Sequence, residues 1–293
     1  MLGAAGYIGR HLVAALHSAG HQTRVHGMAQ DGTAPRADLA DPTSLSGLSW
    51  DVDCVFMLAG VTGTGASFPA FERYVRGNEV SLLNVLDSIR QSAHRPRVVF
   101  PSSRLVYRGA DRPLIETDLL EARTVYAASK IACEFYLRAY TQAHGIPHTT
   151  LRTCVPYGNT QGSVYYSYGT VGNFIRQAQE QGRIRLYGDG GLRRSFTHVD
   201  DFCRVAQYAA QSLACANETF NVPGEDYSLR EAAELVAART GAAIECSDWP
   251  ELDLRIESGS TVFDASKLLA VMPDAVTQRL ADWSQQIAFR GHT

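Results

Sequence analysis

Residues 3–20, GAAGYIGRHLVAALHSAG, form a glycine turn running into a helix, and the fold follows from this stretch. Leu12, Val13, Leu16 and Ala19 fall on one helical face, and Gly20 ends the helix. Gly3, Gly6 and Gly9 give G-x-x-G-x-x-G at the helix mouth. Glycines there let the backbone turn tightly and approach a pyrophosphate. The helix start adds free N–H groups and a positive dipole end. A glycine triplet alone is a weak signal, because tight packing also selects small residues. Context strengthens it: the pattern opens an amphipathic helix, and a strand at Thr23–His26 follows.

Outward from the turn, strands and helices alternate. Strands are expected at Val52–Ala59, Arg97–Pro101 and His148–Thr153, and helices near Ala70–Arg90 and Tyr126–His144. This alternation predicts an α/β fold with a doubly wound parallel sheet and helices on both faces. The second half reads as a smaller mixed α/β part. It has helices near Val171–Gln181 and Val199–Ser212, strands at Ile184–Tyr187 and Thr219–Val222, and a final helix near Val276–Phe289. Ser228 and Glu231 form a capping box for a helix over Leu229–Thr240. Residues 1–155 are assigned to dinucleotide binding, with 183–222 returning to that unit in part. Residues 156–182 and 223–293 are assigned to the substrate. Only Met1 and Leu2 precede Gly3, so the first strand is truncated. A sheet lacking its middle strand leaves backbone groups unpaired on two neighbours. The expectation is that the natural protein starts several residues upstream.

At 293 residues the chain is long enough for one large α/β unit or two coupled domains. Its formal charge of −3, with both signs dispersed, excludes a nucleic-acid partner driven by charge. The cysteines Cys54, Cys133, Cys154, Cys203, Cys215 and Cys246 are scattered without ligand spacing. They read as reduced thiols, with no metal site. No apolar run is long enough for a membrane span, and the N-terminus lacks the pattern of a secretory leader. The expected location is the cytoplasm.

Tyr126-Ala-Ala-Ser-Lys130 opens a predicted helix, and i, i+4 spacing puts both side chains on one face. Tyrosine ordinarily loses its proton near pH 10. A neighbouring ammonium stabilises the phenolate and makes it an acid or base usable near neutrality. Y-x-x-x-K is common on helices, so the pair needs company. Ser102-Ser103 supplies it at the C-terminal end of an apolar strand, where side chains reach the ligand crevice of a parallel sheet.

In NAD-specific folds a carboxylate at the end of the second strand grips the ribose. Its place, about eighteen residues after Gly9, is His26-Gly27-Met28, which holds none. That absence favours NADP over NAD. Arg24, His26 and Arg36 are candidates for a 2′-phosphate, and equally for solvated loop positions. Asp38-Leu39 is placed to reach the adenine edge.

Taken together, GAAGYIG, the Asp38-Leu39 pair, DCVFMLAG, GNEVSLLNVL, PSSRLVY, YAASK, YGDGGLRRSFTHVDD, FNVPGEDYSLREAAELV and FDASKL resemble the extended short-chain dehydrogenase/reductases. That family comprises nucleotide-sugar epimerases, dehydratases and ketoreductases, and the likeness spans essentially the whole chain. It implies a Rossmann-like fold and catalysis by Ser103, Tyr126 and Lys130. Ser103 is preferred to Ser102 for standing four residues before Tyr107. The implied cofactor contacts are Gly3, Gly6, Tyr7, Ile8, Gly9, Asp38, Leu39, Leu58, Ala59, Gly60, Asn78, Tyr126, Lys130 and Pro156. Substrate contacts fall on Ser103, Arg104, Tyr126, Arg194 and Arg255, the last two being the arginines that grip a sugar-nucleotide diphosphate. For Arg255 a plain surface arginine is the competing reading. Departures carry information too. Arg104-Leu105 stand where 4,6-dehydratases keep an acidic pair, which argues against elimination. Val155 replaces a phosphate-contacting asparagine, and Arg108 a glycine. The tyrosine-rich segment Val164–Gly172 either lines the sugar pocket or packs in the core. The resemblance implies a nucleotide-sugar substrate and a homodimer formed through the helices of Asn78 and Tyr126. The expected reaction is NAD(P)H-dependent reduction of a nucleotide-linked 4-keto-6-deoxyhexose. The alternatives are an NAD-dependent 4-epimerase and a catalytically silent binding protein.

Overall fold

The computed structural model describes residues 1–26, 37–158 and 169–287. The first half contributes α1 (Tyr7–Ser18), β1 (Cys54–Phe56), α2 (Phe71–Tyr74), α3 (Ser81–Gln91), β2 (Arg97–Ser103), α4 (Val125–His144) and β3 (His148–Thr153). There follow β4 (Val155–Tyr157), α5 (Gly169–Gln181), β5 (Arg183–Tyr187), β6 (Arg193–His198), α6 (Val199–Gln211), β7 (Glu218–Asn221) and β8 (Glu225–Ser228). The chain closes with α7 (Leu229–Thr240), β9 (Ala243–Ser247), α8 (Glu251–Ile256), α9 (Ser266–Leu269) and α10 (Leu280–Ser284).

The main sheet runs β1-β2-β3-β7, all parallel. Strand residues alternate between its faces. Val55, Val98 and Phe100 pack with Leu82, Leu86 and Leu137 of α3 and α4. Phe56, Val99, Leu151 and Phe220 pack with Leu12, Phe202 and Ala206 of α1 and α6. Helices therefore cover both faces, as a parallel sheet requires.

At the central position beyond β1 a single residue does the pairing. Leu2 bridges His26 on one side and Met57 on the other, both in parallel. The expected strand over Thr23–His26 shrinks accordingly to a bridge at His26. The predicted single helix over Ala70–Arg90 is instead three pieces, because a π-helical stretch, Val75–Val80, separates α2 from α3. Of the predicted last helix, the described part is helical over Leu280–Ser284, and 288–289 lie outside the described residues.

The second half has its own core, built on Phe174, Ile175, Ile184, Phe196, Val236 and Trp283. Here β4, β6 and β8 form one small sheet, and β5 pairs with β9 in another. Within residues 183–222, β5 and β6 pair in these small sheets, whereas β7 joins the main sheet and α6 packs on its face. The capping box at Ser228 and Glu231 forms as read. Among the described residues no helix is long and apolar enough to cross a membrane.

Candidate active site

The three glycines of the turn have different tasks. Gly3 has φ +89°, and a Cβ there would lie 2.4 Å from the Ala59 nitrogen. At Gly9 a Cβ would lie 2.3 Å from the Gly3 carbonyl oxygen. These two close the turn on itself and on the strand end at Leu58-Ala59, whose N–H groups both donate to the Leu2 carbonyl. A Cβ at Gly6 would meet only the Gly3 oxygen, at 3.4 Å, so Gly6 is the glycine that faces open space. It caps α1 without a side-chain bond, and the first turn holds no acidic residue. A helix start left bare of carboxylates suits a pyrophosphate, so the cradle fits a dinucleotide. Tyr7 closes its far side by donating to the Gly158 carbonyl at 3.1 Å, and Ile8 packs inward against the α1/α6 core.

Asn78 lies within the π-helical stretch, an irregularity that often marks functional positions. Its carboxamide accepts from the Val61 N–H at 2.7 Å and donates to the Val61 carbonyl at 3.1 Å and to Ser129 at 3.0 Å. Ser129 in turn donates to the Tyr126 carbonyl at 2.8 Å. Asn78 thus ties the loop after Ala59 and Gly60 to the first turn of α4. Asp38 folds back on its own turn, accepting from the Ala40 N–H, and the Leu39 carbonyl accepts from Asn84. Pro156 sits half-buried on β4, beside Thr197.

Tyr126 and Lys130 occupy the first two turns of α4, which Thr124 caps by accepting from the Ala127 N–H at 3.0 Å. Lys130 is buried, and its ammonium donates to the Pro101 carbonyl at 2.9 Å and stands 4.4 Å from the Phe100 ring centroid. The same nitrogen is 5.9 Å from the centroid of the Tyr126 ring. Burial pushes the Lys130 pKa down; Cys133 and Glu134 push it back up. Strand alternation separates the two serines. Ser102 shares the parity of Val98 and Phe100, faces α4, and donates to Glu134 at 2.6 Å. Ser103 ends β2 and accepts from the Leu105 N–H at 3.2 Å. The Ser102 hydroxyl is thus committed to Glu134, while Ser103 lies on the opposite face at the C-terminal end of β2.

The arginines part company. Arg194 is 2% exposed, and its guanidinium donates to Glu257 at 2.8 Å and to the carbonyls of Gly259 and Arg193. Burial, then the charge of Arg104, pull its pKa down to about 10. Arg104 donates to Ser258 at 3.2 Å and Thr261 at 3.4 Å. Arg255 projects from exposed α8 and pairs with Glu251, so the structure does not bring it to Arg194. Arg24 reaches the Asp51 carbonyl; Arg36 and residues 164–168 lie outside the described residues.

The sequence reading missed a buried network beneath these residues. Arg152, on β3, makes a two-pronged contact with Glu134, at 3.0 and 2.6 Å, and donates to the Tyr107 hydroxyl at 2.7 Å. Tyr107 donates to Asn221 of β7 at 2.6 Å. A signal was there: Glu134 stands four residues after Lys130, on the same helical face, and Arg152 interrupts a buried strand. A charge in such a strand calls for a buried partner.

Comparison with known proteins places the chain in a family and identifies similar folds. Residues 1–223 match the profile of the NAD dependent epimerase/dehydratase family. The chain is 29% identical to a dTDP-L-rhamnose 4-epimerase of Burkholderia thailandensis, over 70% of this chain and 67% of that protein. To a UDP-glucuronate 4-epimerase of Thermodesulfobacterium geofontis it is 25% identical, over 81% and 74%. Among solved structures it is similar to the Thermus thermophilus UDP-glucose 4-epimerase in complex with NAD. There the TM-score is 0.85 at 25% identity, covering 100% of this chain and 98% of that one. MoeE5 in complex with UDP-glucose and NAD gives 0.82 at 27% identity, covering 98% and 96%.

Proposed function

The chain belongs to the NAD-dependent epimerase/dehydratase family, and from that premise we propose that it reduces the ketone of a nucleotide-linked 4-keto-6-deoxyhexose. The observation that carries this reading is the buried Lys130 ammonium beside Tyr126 on the opening turns of α4, bonded to the Pro101 carbonyl of β2, the strand that Ser103 ends. When bound, NADPH or NADH supplies the hydride. The glycine turn, Leu58–Gly60, Asn78 and Pro156 form the surface that holds it. The absence of a carboxylate at His26 favours NADPH. Ser103 hydrogen-bonds the carbonyl oxygen, and Tyr126 gives it a proton. Lys130 lowers the cost of the phenolate that remains. Arg194 receives the substrate diphosphate. Arg104-Leu105 offer no acid or base for elimination.

A second reading, a 4-epimerase with tightly held NAD, is favoured by the relatives named above, which include 4-epimerases and NAD complexes. In it Tyr126 takes the proton from the C4 hydroxyl and returns it. Two measurements separate the readings. Purified protein that releases NAD on denaturation and interconverts C4 epimers is an epimerase. Protein free of nucleotide that oxidises NADPH or NADH with dTDP-, UDP-, GDP- or CDP-4-keto-6-deoxyhexoses is a reductase. Under either, Tyr126→Phe lowers kcat by roughly 10²–10⁴-fold, the usual size of a general acid–base contribution, and leaves the circular dichroism spectrum unchanged. Unaltered turnover in that variant would remove Tyr126 from the chemistry.

A further inference from the structure

The anion on Arg194 is already supplied by the chain. Glu257 places a carboxylate oxygen 2.8 Å from the guanidinium, and the same oxygen accepts from the Gly259 N–H at 3.1 Å. Its side chain is 19% exposed against 2% for Arg194, so Glu257 lies between the arginine and solvent. The pairing leaves positive charge uncompensated, because Arg104 stands close enough to depress the Arg194 pKa and its hydrogen-bond partners are the neutral hydroxyls of Ser258 and Thr261. The two positive charges of Arg194 and Arg104 are matched better by a diphosphate than by the single charge of Glu257.

Glu257 also sits at a mechanical boundary. After it the chain is fixed: the Ser258 and Ser260 carbonyls accept from Gly109 and Ala110, and the Thr261 N–H donates to the Arg193 carbonyl. Before it stands α8, a short helix with no buried residue, on which Leu252 is 50% and Leu254 58% exposed. The Glu257 backbone is held as well, its carbonyl accepting from Arg123 at 2.6 Å, so the carboxylate leaves Arg194 by side-chain rotation while the floor of the site keeps its hydrogen bonds.

We propose that Glu257 is a resident counter-ion, which a substrate diphosphate must displace from Arg194 before it binds. This rests on the reading of Arg194 as the diphosphate residue. A site open for only a fraction of the time binds more weakly by that fraction, so Glu257 weakens every ligand that must reach Arg194 and leaves a ligand that does not use Arg194 unaffected.

The test is calorimetric binding of UDP, dTDP, GDP and CDP, with uridine and thymidine as controls, to wild type, Glu257→Gln and Glu257→Ala. Both variants are expected to bind the preferred diphosphate at least about tenfold more tightly than wild type, the shift set by the closed fraction, with nucleoside affinity unchanged. Diphosphate affinity equal to or weaker than wild type in both folded variants overturns the role of Glu257 and leaves the nucleotide-sugar reading intact. Failure of all four diphosphates to bind any of the three proteins overturns both.

Discussion

At the scale of single residues, burial decides protonation. His148 is 2% exposed at the start of β3, with Nδ1 2.7 Å from the Thr141 hydroxyl. Burial first, then the charge of Arg138, lower its pKa from 6.5 to about 4, against opposing effects of Glu134 and Glu218. The folded pKa lies below the unfolded one, so between about 6.5 and 4 the unfolded chain binds the extra proton. The stability linked to His148 is complete above pH 6.5 and drains away as pH falls toward 4. A shift of this size corresponds to ~3 kcal/mol. Urea unfolding at pH 7, 5.5 and 4 should therefore show a shallower acid loss in His148→Gln than in wild type. Parallel losses in the two proteins would assign the acid sensitivity to other groups. The same scale explains what sequence could resolve about the two serines. Period-two alternation separates them, but the partner that commits Ser102 is Glu134, thirty-two residues on, and no local pattern names it.

At the scale of elements, α4 carries the proposed acid–base pair. Thr124 anchors its first turn, Gly145 ends it with φ +67°, and Lys130 and Glu134 tie its inner face to β2. Thr124→Ala should cost about 1 kcal/mol of stability. Because Tyr126 lies two residues beyond the cap, kcat should fall further than that loss explains. Thermal unfolding and steady-state kinetics on one preparation check this; a stability loss with kcat unchanged would make the cap structural only. This helix, its capping threonine aside, was legible in sequence, as were the glycine turn and the box at Ser228, because each is written in adjacent residues. The π-helical stretch around Asn78 was not. It arises from the tertiary demands that Val61 and Ser129 place on one carboxamide. The strand expected at Thr23–His26 was over-read for the converse reason: a strand needs a pairing neighbour, and among the described residues Leu2 alone supplies one. Motif spacing could not reveal that α8 turns Arg255 toward Glu251.

At the scale of the whole molecule, the two halves meet around Arg152. It links α4 through Glu134 and the loop at Glu116, while Tyr107 and Asn221 carry the hydrogen bonds on to Leu114 and Asp264. The inner face of α4 is thus fully engaged within one chain, and its outer face is not. Phe135 is 53% exposed there, stacked by Arg138 at 5.4 Å, and Phe71 of the adjacent α2 is also 53% exposed. Exposed large aromatic rings suit a surface to association, and on the family resemblance we propose a homodimer contact on these helices. A carboxylate at the centre of such a contact would be buried without a partner, at a cost of several kcal/mol. Light scattering should give wild type twice the 32.0 kDa chain mass and Phe135→Asp the mass of one chain. Since Phe135 points away from Lys130 and Glu134, the monomeric variant should keep its fold, and any fall in kcat would measure how far the partner steadies α4. A wild type of single-chain mass would leave these phenylalanines without that role, and a variant still dimeric would move the contact to another face.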